Sequence, residues 1–413
     1  MKRLISKHLL VILGLFIILS CNEEKEVEFT LHNSNDFSIK DEFVSLELNK
    51  LEEELDIEKI AVFDNDVEIP SQLIDSNNDG KPDHLIFVID IGSNEEKEIE
   101  LEEVSEKKTY PNRAHAEISV KRDYTLVEGI YKGGRFESVK KSNTPPGHID
   151  HNNYYKFEGP GWESDLVGYR FYLDWRNATD IFGKKVKEMV LPNVGYTKDV
   201  GGNDSYHEMA DWGMDVFKVG NSLGIGSIAA FHNGEVVKVS ETDSISCTIK
   251  EDGPITAKVI TKYYGWKVGD EILNLESNIS INAGSRLTKH SAQYFGNEVQ
   301  LCTGLVKHDN TKYLSSDSDS KAIWKYIALW GKQSLAGDDL GIVLFYKNLP
   351  TVKLTEDDLN YIVVLEAESN TVEYYYGAMW SGESDEIIDI ENFKDYIDET
   401  AKKLNNPITV NIN

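Results

Sequence analysis

ITAKVITKYYGWKVGDEILNLESNISI, residues 255–281, decides the architecture. Two long runs rich in β-branched and aromatic residues flank Val268-Gly269-Asp270, a hairpin turn. Just upstream, Glu251-Asp252-Gly253 joins the first run to SISCTIK (244–250) in the same way. Working outward, AEISVK (116–121), LVGYRFYLDWR (166–176), GIVLFYK (341–347), YIVVLEAE (361–368) and VEYYYGAMW (372–380) read as further strands. Some three hundred residues of such strands predict a large double-sheet sandwich rather than a string of small modules. The one convincing helix, 391–404, places Phe393, Tyr396, Ile397 and Leu404 on a common stripe.

Ahead of this body lie VEFTLHN (27–33), EFVSLEL (42–48), IAVFDNDVEI (60–69) and HLIFVIDI (84–91). Their length and spacing predict a small immunoglobulin-like β-sandwich over 27–105, with a Lys-rich linker at 102–113 and the large domain over 106–413. The loop 75–83, DSNNDGKPD, begins like a calcium loop with Asp75, Asn77, Asp79 and Gly80. Ile86 stands where the closing glutamate belongs, so a hairpin turn is the better reading.

The first twenty residues combine Lys2, Arg3 and Lys7 with an apolar run from Leu9 to Leu19 that is too short to span a bilayer. Ile18-Leu19-Ser20-Cys21 reads as a lipobox. The expectation is a signal peptide (1–20), lipidation at Cys21 and an acidic tether (21–26). Asn22 favours the outer membrane, facing the periplasm or the cell surface. Removing the three basic residues takes the formal charge from -28 to -31, a surface that repels nucleic acid. An anionic substrate then needs a local Arg or Lys patch. Cys247 and Cys302 can either pair or stay as buried thiols. There is no glycine-rich phosphate loop and no cysteine cluster, so neither a cofactor nor a metal is expected. His148, Asp150 and His151 form an incomplete metal set.

The densest polar stretch is 148–185. Read as a strand, its middle puts Arg170, Tyr172, Asp174 and Arg176 on one face, and Tyr169, Phe171, Leu173 and Trp175 on a core face. The polar row can fork onto a sugar carboxylate, or it can be a solvated ion-pair ladder. His148, His151, Trp162, Glu163 and Asp165 lie around it. In YHEMADWGMDVFKVGNSLGIG (206–226), His207, Asp211 and Asp215 recur every four residues, a pattern suited to a histidine base. In KHSAQYFG (289–296), His290 and Tyr294 share a strand face. Tyr374, Tyr376 and Trp380 offer either stacking surfaces or core. No glycine-flanked serine elbow is present.

EGPGWESDLVGYRFYLDWRNATDIFGKK (158–185), HEMADWGMDVFKVGNSLGIG (207–226) and YYYGAMW (374–380) followed by the Phe393 helix resemble a lipoprotein domain family of unknown function encoded in bacterial polysaccharide-utilisation clusters. The likeness runs from about Asp75 onward. It implies a galactose-mutarotase-like β-supersandwich behind a small β domain, and a role in processing oligosaccharides from acidic plant or algal polysaccharides. The family includes a dehydratase of ulvan breakdown, which removes water from a terminal uronate to leave a 4,5-unsaturated sugar.

For such a hydro-lyase, the residues themselves nominate Arg170 and Arg176 as the carboxylate clamp and His207, then His290, as base. Tyr172 or Tyr294 is the acid, Asp174 and Asp211 orient the Arg and His, and Trp162 and His151 add substrate contacts. A glycoside or ester hydrolase, and a non-catalytic glycan-binding lipoprotein, are the alternatives.

Overall fold

A computed structural model describes residues 26–51, 55–77, 79–195, 205–317, 320–384 and 387–412. The signal segment, Cys21 and the tether up to Lys25 lie outside the described residues.

Alternating burial builds the small sandwich. In Glu26–His32 the even-numbered residues face out while Val27, Phe29 and Leu31 face in. This strand is flanked by Glu96–Glu103, and Ile60–Asp64 and Val67–Ile69 continue the sheet. A second sheet of Ile39–Glu47, His84–Ile91 and Ser71–Ile74 closes over it. Phe29 meets Phe87 across the layer, with ring centroids 6.0 Å apart. The other edge of Glu26–His32 is filled from the far end of the chain: Thr409–Ile412 pairs antiparallel with it, Ile412 opposite Phe29. Ile408 and Val410 pack against its core. The expected large domain, 106–413, therefore gives up its last strand to the small sandwich.

The large body is the expected β-supersandwich. Its floor is one antiparallel nine-stranded sheet, in the order Lys141–Asn143, Ser244–Asp252, Thr256–Val268, Glu271–Asn282, Leu287–Phe295, Thr371–Trp380, Leu340–Lys347, Trp324–Gly331, Thr311–Ser315. Both hairpin turns of the 244–281 stretch are present. Tyr263 and Trp266 both face the core, although they are three residues apart. A bulge between them, with Gly265 at φ +67°, resets the alternation.

The opposing layer is two five-stranded sheets. One holds Gly213–Asp215, Thr179–Lys184, Val167–Phe171, Gly161–Ser164 and Ala114–Glu117; the other holds Glu235–Lys238, Ala229–His232, Leu301–Val306, Asn360–Val364 and Lys353–Glu356. A single core joins all three sheets. Tyr374 and Tyr376 belong to it, and so does Trp380: they are packing, not a sugar platform. At the seam, Gly226 (φ +68°) lies so close to the Tyr376 ring that a Cβ there would overlap it.

The helix Ile390–Asn405 covers the outer face of the floor. Asp389 caps it, accepting from the amides of Glu391 and Asn392. Phe393 and Ile397 are fully buried, with Phe393 5.1 Å from the Trp330 ring. Ion pairs tie the bodies together. Arg113 forks onto Asp41 at 2.6 and 2.8 Å and also holds Asp165, while Lys403 reaches Glu42 at 2.9 Å. The 75–83 loop is a turn braced from within: Asp75 accepts from the amides of Asp79 and Gly80, and Lys250 of the large domain pairs with it at 2.8 Å. Cys247 and Cys302 are unpaired buried thiols.

Replacing Phe393 with Ala leaves a cavity between helix and sheet where its ring now packs over Gly341. Urea unfolding is expected to show a loss of roughly 3–5 kcal/mol. A loss below about 1 kcal/mol would mean that the helix does not hold the sheet face.

Candidate active site

Val167–Phe171 is buried throughout and runs beside Thr179–Lys184, with Arg170 opposite Asp180. The strand stops at Phe171. Residues 172–178 turn back, closed by bonds from Tyr172 N to Ala178 O and from Asn177 N to Asp174 O, each 3.0 Å. The expected row of alternating faces is therefore cut short, and this turn explains where each of its residues lies.

Arg170 is buried, and each of its guanidinium nitrogens has acceptors. Nε and Nη2 meet Asp180 at 3.2 and 2.8 Å, Nη2 meets Asp215 at 2.6 Å, and Nη1 meets the Tyr206 hydroxyl at 2.8 Å and Glu158 at 3.5 Å. No donor remains for a ligand, so Arg170 is a structural hub rather than a substrate clamp. The Tyr172 hydroxyl donates to Asp180. Burial holds the Tyr172 phenol well above its ordinary pKa, although Arg170 opposes this. Burial, then Asp215, pushes the Asp180 carboxyl up.

Arg176 differs from Arg170. Nε and Nη2 engage Asp174, and Nη2 also meets Glu158 at 2.8 Å. Its guanidinium carbon lies 3.8 Å from the centre of the Tyr172 ring. Nη1 has no bond to a described residue, so this arginine keeps one edge for an anion. Burial raises Glu158, but Arg170 and Arg176 outweigh it and hold the carboxyl below its usual range.

His207 ends the short helical turn Ser205–His207, and its side chain is 44% exposed. Nδ1 lies 3.1 Å from the buried carboxylate of Asp215. Nδ1 is the ring nitrogen that faces this carboxylate, so Asp215 holds one edge of the imidazole to the buried network. The orienting carboxylate is Asp215; Asp211, two residues before the strand Gly213–Asp215, is exposed. His151 lies at the rim, Nδ1 3.7 Å from Glu158 and 3.6 Å from Asp150. One network thus links His207, Asp215, Arg170, Asp180 and Tyr172, and Glu158 carries it on to Arg176, Asp174 and His151.

Other nominated residues lie elsewhere. Trp162 is a core residue, stacked on Tyr169 at 5.7 Å and bonded to Thr288, with no face for a sugar. Trp175, expected in the core, is instead 45% exposed. Tyr294 is buried in the main core. His290 is sealed between Ser277 (2.8 Å) and Tyr374 (2.7 Å). Tyr374 donates to the Gly226 carbonyl, so His290 Nδ1–H donates to Tyr374 and Nε2 accepts from Ser277. Burial drives its pKa to about 3. A base sealed in this way cannot reach a substrate. Sequence reasoning missed Glu158, Asp180 and Tyr206, and gave the orienting role to Asp211 rather than Asp215. Only cross-strand register, which spacing does not reveal, brings Asp180 to Arg170.

A family model described as a domain of unknown function (DUF4861) matches residues 31–410. The uncharacterized protein P7 of Formosa agariphila is 25% identical over 442 residues, covering 100% of both chains. Two solved structures are also similar. They are an alpha-mannosidase from Enterococcus faecalis V583 (TM-score 0.48, 11% identity) and a glycosyl hydrolase family 38 protein from Enterococcus faecalis (0.48, 10%). Each match covers 94% of this chain but only 46% and 47% of those, so the chain spans about half their length.

The sealed His290 predicts an acid response. Its stabilisation is complete above pH 6.5, where the unfolded histidine is also neutral, and is lost as the pH falls toward 3. The slope it contributes is at most about 1.4 kcal/mol per pH unit. Denaturant unfolding of His290→Gln is expected to show a flatter profile below pH 6.5. An unchanged slope would mean that His290 is not held neutral.

Proposed function

The chain belongs to the domain family of unknown function DUF4861, and on that premise we propose that it is a carbohydrate-active dehydratase acting on acidic oligosaccharides, ulvan fragments among them. The observation that carries this reading is the half-exposed His207, held 3.1 Å from buried Asp215 and joined through Arg170 and Glu158 to an arginine with one edge open.

In this reading, the Arg176 edge binds the carboxylate of a terminal uronate and stabilises the charge that develops on it. His207 Nε2 takes the C5 proton. The C4–O bond breaks, the C4=C5 double bond forms, and the hydroxyl leaves as water after protonation. The imidazolium just formed supplies that proton, because the Tyr172 hydroxyl is committed to Asp180. Tyr172 and Asp180 are then positioning residues. A glycosidase pair of carboxylates is a poorer fit: Asp180 and Asp215 are both buried on one guanidinium nitrogen rather than facing each other across a sugar. The proposed location is the outer membrane, through a lipid on Cys21.

Two measurements test this. Acidic oligosaccharides incubated with the protein are expected to lose one water in mass spectra and to gain ultraviolet absorbance, without chain shortening. His207→Ala should abolish this, a loss of roughly a hundredfold or more, with its unfolding midpoint near the parent's. Shortened products would mean hydrolysis, and unchanged products would mean a binder. For the anchor, Cys21→Ala should move the protein from the membrane to the soluble fraction. Retention with the same lipid label would rule that anchor out.

A further inference from the structure

Lys238 closes the strand Glu235–Lys238, in the sheet beside the one that carries the site. Its Nζ is sealed from solvent and has no hydrogen-bond acceptor among the described residues. An ammonium withdrawn from water without a partner is strongly disfavoured, so an unpaired one calls for an explanation. The groups around it do not supply a bond. Burial pulls the amine down to about 8, Asp174 and Asp357 raise it, and Arg176 lowers it further. Asp174 itself is already committed to Arg176.

What covers the amine is the indole of Trp175, with Nζ 6.0 Å from the ring centroid. That indole sits on the 172–178 turn, 45% exposed, and makes no hydrogen bond to a described residue. A large apolar ring presented to solvent in this way is unusual beside so polar a site. The next residue is Arg176, whose Nη1 is the one open edge of the guanidinium. An uncommitted cation, a half-committed cation and an exposed indole thus meet at one turn.

We infer that Trp175, Lys238 and the Nη1 edge of Arg176 form a subsite for a sugar ring bearing an anionic substituent, a carboxylate or a sulfate. The indole swings from over Lys238 and takes the apolar face of the ring. The anion then fills the acceptor position that Lys238 lacks. The subsite rests on the proposed function for its substrate class and deepens it: it names the residues that select an acidic sugar over a neutral one. In a chain with a formal charge of -28, a local cation without a carboxylate partner is what admits an anion at all.

Binding without turnover tests the subsite separately from the chemistry. Calorimetric titrations use the His207→Ala protein and three probes: a uronate-containing disaccharide, its carboxyl-reduced counterpart and a neutral disaccharide bearing a sulfate. The added change Lys238→Met is expected to weaken the uronate roughly ten- to a hundredfold, with no effect on the carboxyl-reduced probe. Trp175→Ala should weaken both. A sulfated probe that binds with the same Lys238 dependence identifies sulfate as the group read. The melting temperature of Lys238→Met should hold or rise; a merely structural lysine would lower it and leave binding unchanged.

Should Lys238→Met fail to fold, Lys238→Arg serves with pH as the variable. The parent's affinity for the uronate should fall from pH 7 to 9 as the amine loses its proton, and the Arg variant's should stay flat. Undiminished uronate binding by Lys238→Met, identical pH profiles, or a parent that binds none of the three probes overturns the subsite. Lys238-dependent binding without any loss of water counts against the dehydratase reading alone.

Discussion

Taking a guanidinium out of water costs several kcal/mol unless every N–H finds an acceptor, and Arg170 meets that condition with four groups from three stretches of chain. Glu158 precedes its strand, Asp180 lies opposite on the paired strand, and Tyr206 and Asp215 come from the segment beyond residue 204. No two of these places can shift without breaking a bond in a dry environment. The position of the half-exposed histidine follows: Asp215 is fixed by Arg170 and in turn lies 3.1 Å from His207 Nδ1. The burial that makes the hub costly to assemble also makes the site rigid once assembled.

The same division between sealed and open groups recurs across the molecule. His290 and Tyr374 form a closed polar chain at the seam where the two upper sheets meet the floor, with each hydrogen bond paired. Trp175 and His207 are exposed, and His207 lies against the buried carboxylate of Asp215. Around the 172–178 turn, Arg176 Nη1 and Lys238 Nζ are left without acceptors among the described residues.

Much of the architecture was legible because it rests on local pattern. The 255–281 hairpin, the Phe393 stripe and the alternation in VEFTLHN each appear as read, since period-2 and period-3.6 burial leave a direct mark on sequence. The site was less legible. Trp175 looked like core because the 167–171 strand was extended five residues too far, to Arg176; the turn at 172–178 contains neither glycine nor proline to announce it. Asp211 and Asp215 are equivalent by spacing, yet only the second lies in a strand that pairs with Thr179–Lys184. His290 looked like a base because residue type does not report whether a histidine is covered. Register and burial depend on distant segments, which neither composition nor periodicity records.

The pairing of Thr409–Ile412 with Glu26–His32 ties completion of the first domain to a stretch synthesised far later. A ribosome makes some 370 residues between the two partners, so the amino-terminal sandwich keeps a bare edge for nearly the whole of translation. Domains that finish in order protect themselves as they emerge; this chain cannot. A product cut short anywhere before residue 409 would carry an unpaired strand beside Phe29, a template for aggregation and an evident target for proteases. Residues 409–412 therefore act as a check on synthesis: the edge of the first sandwich is closed only once they have been made.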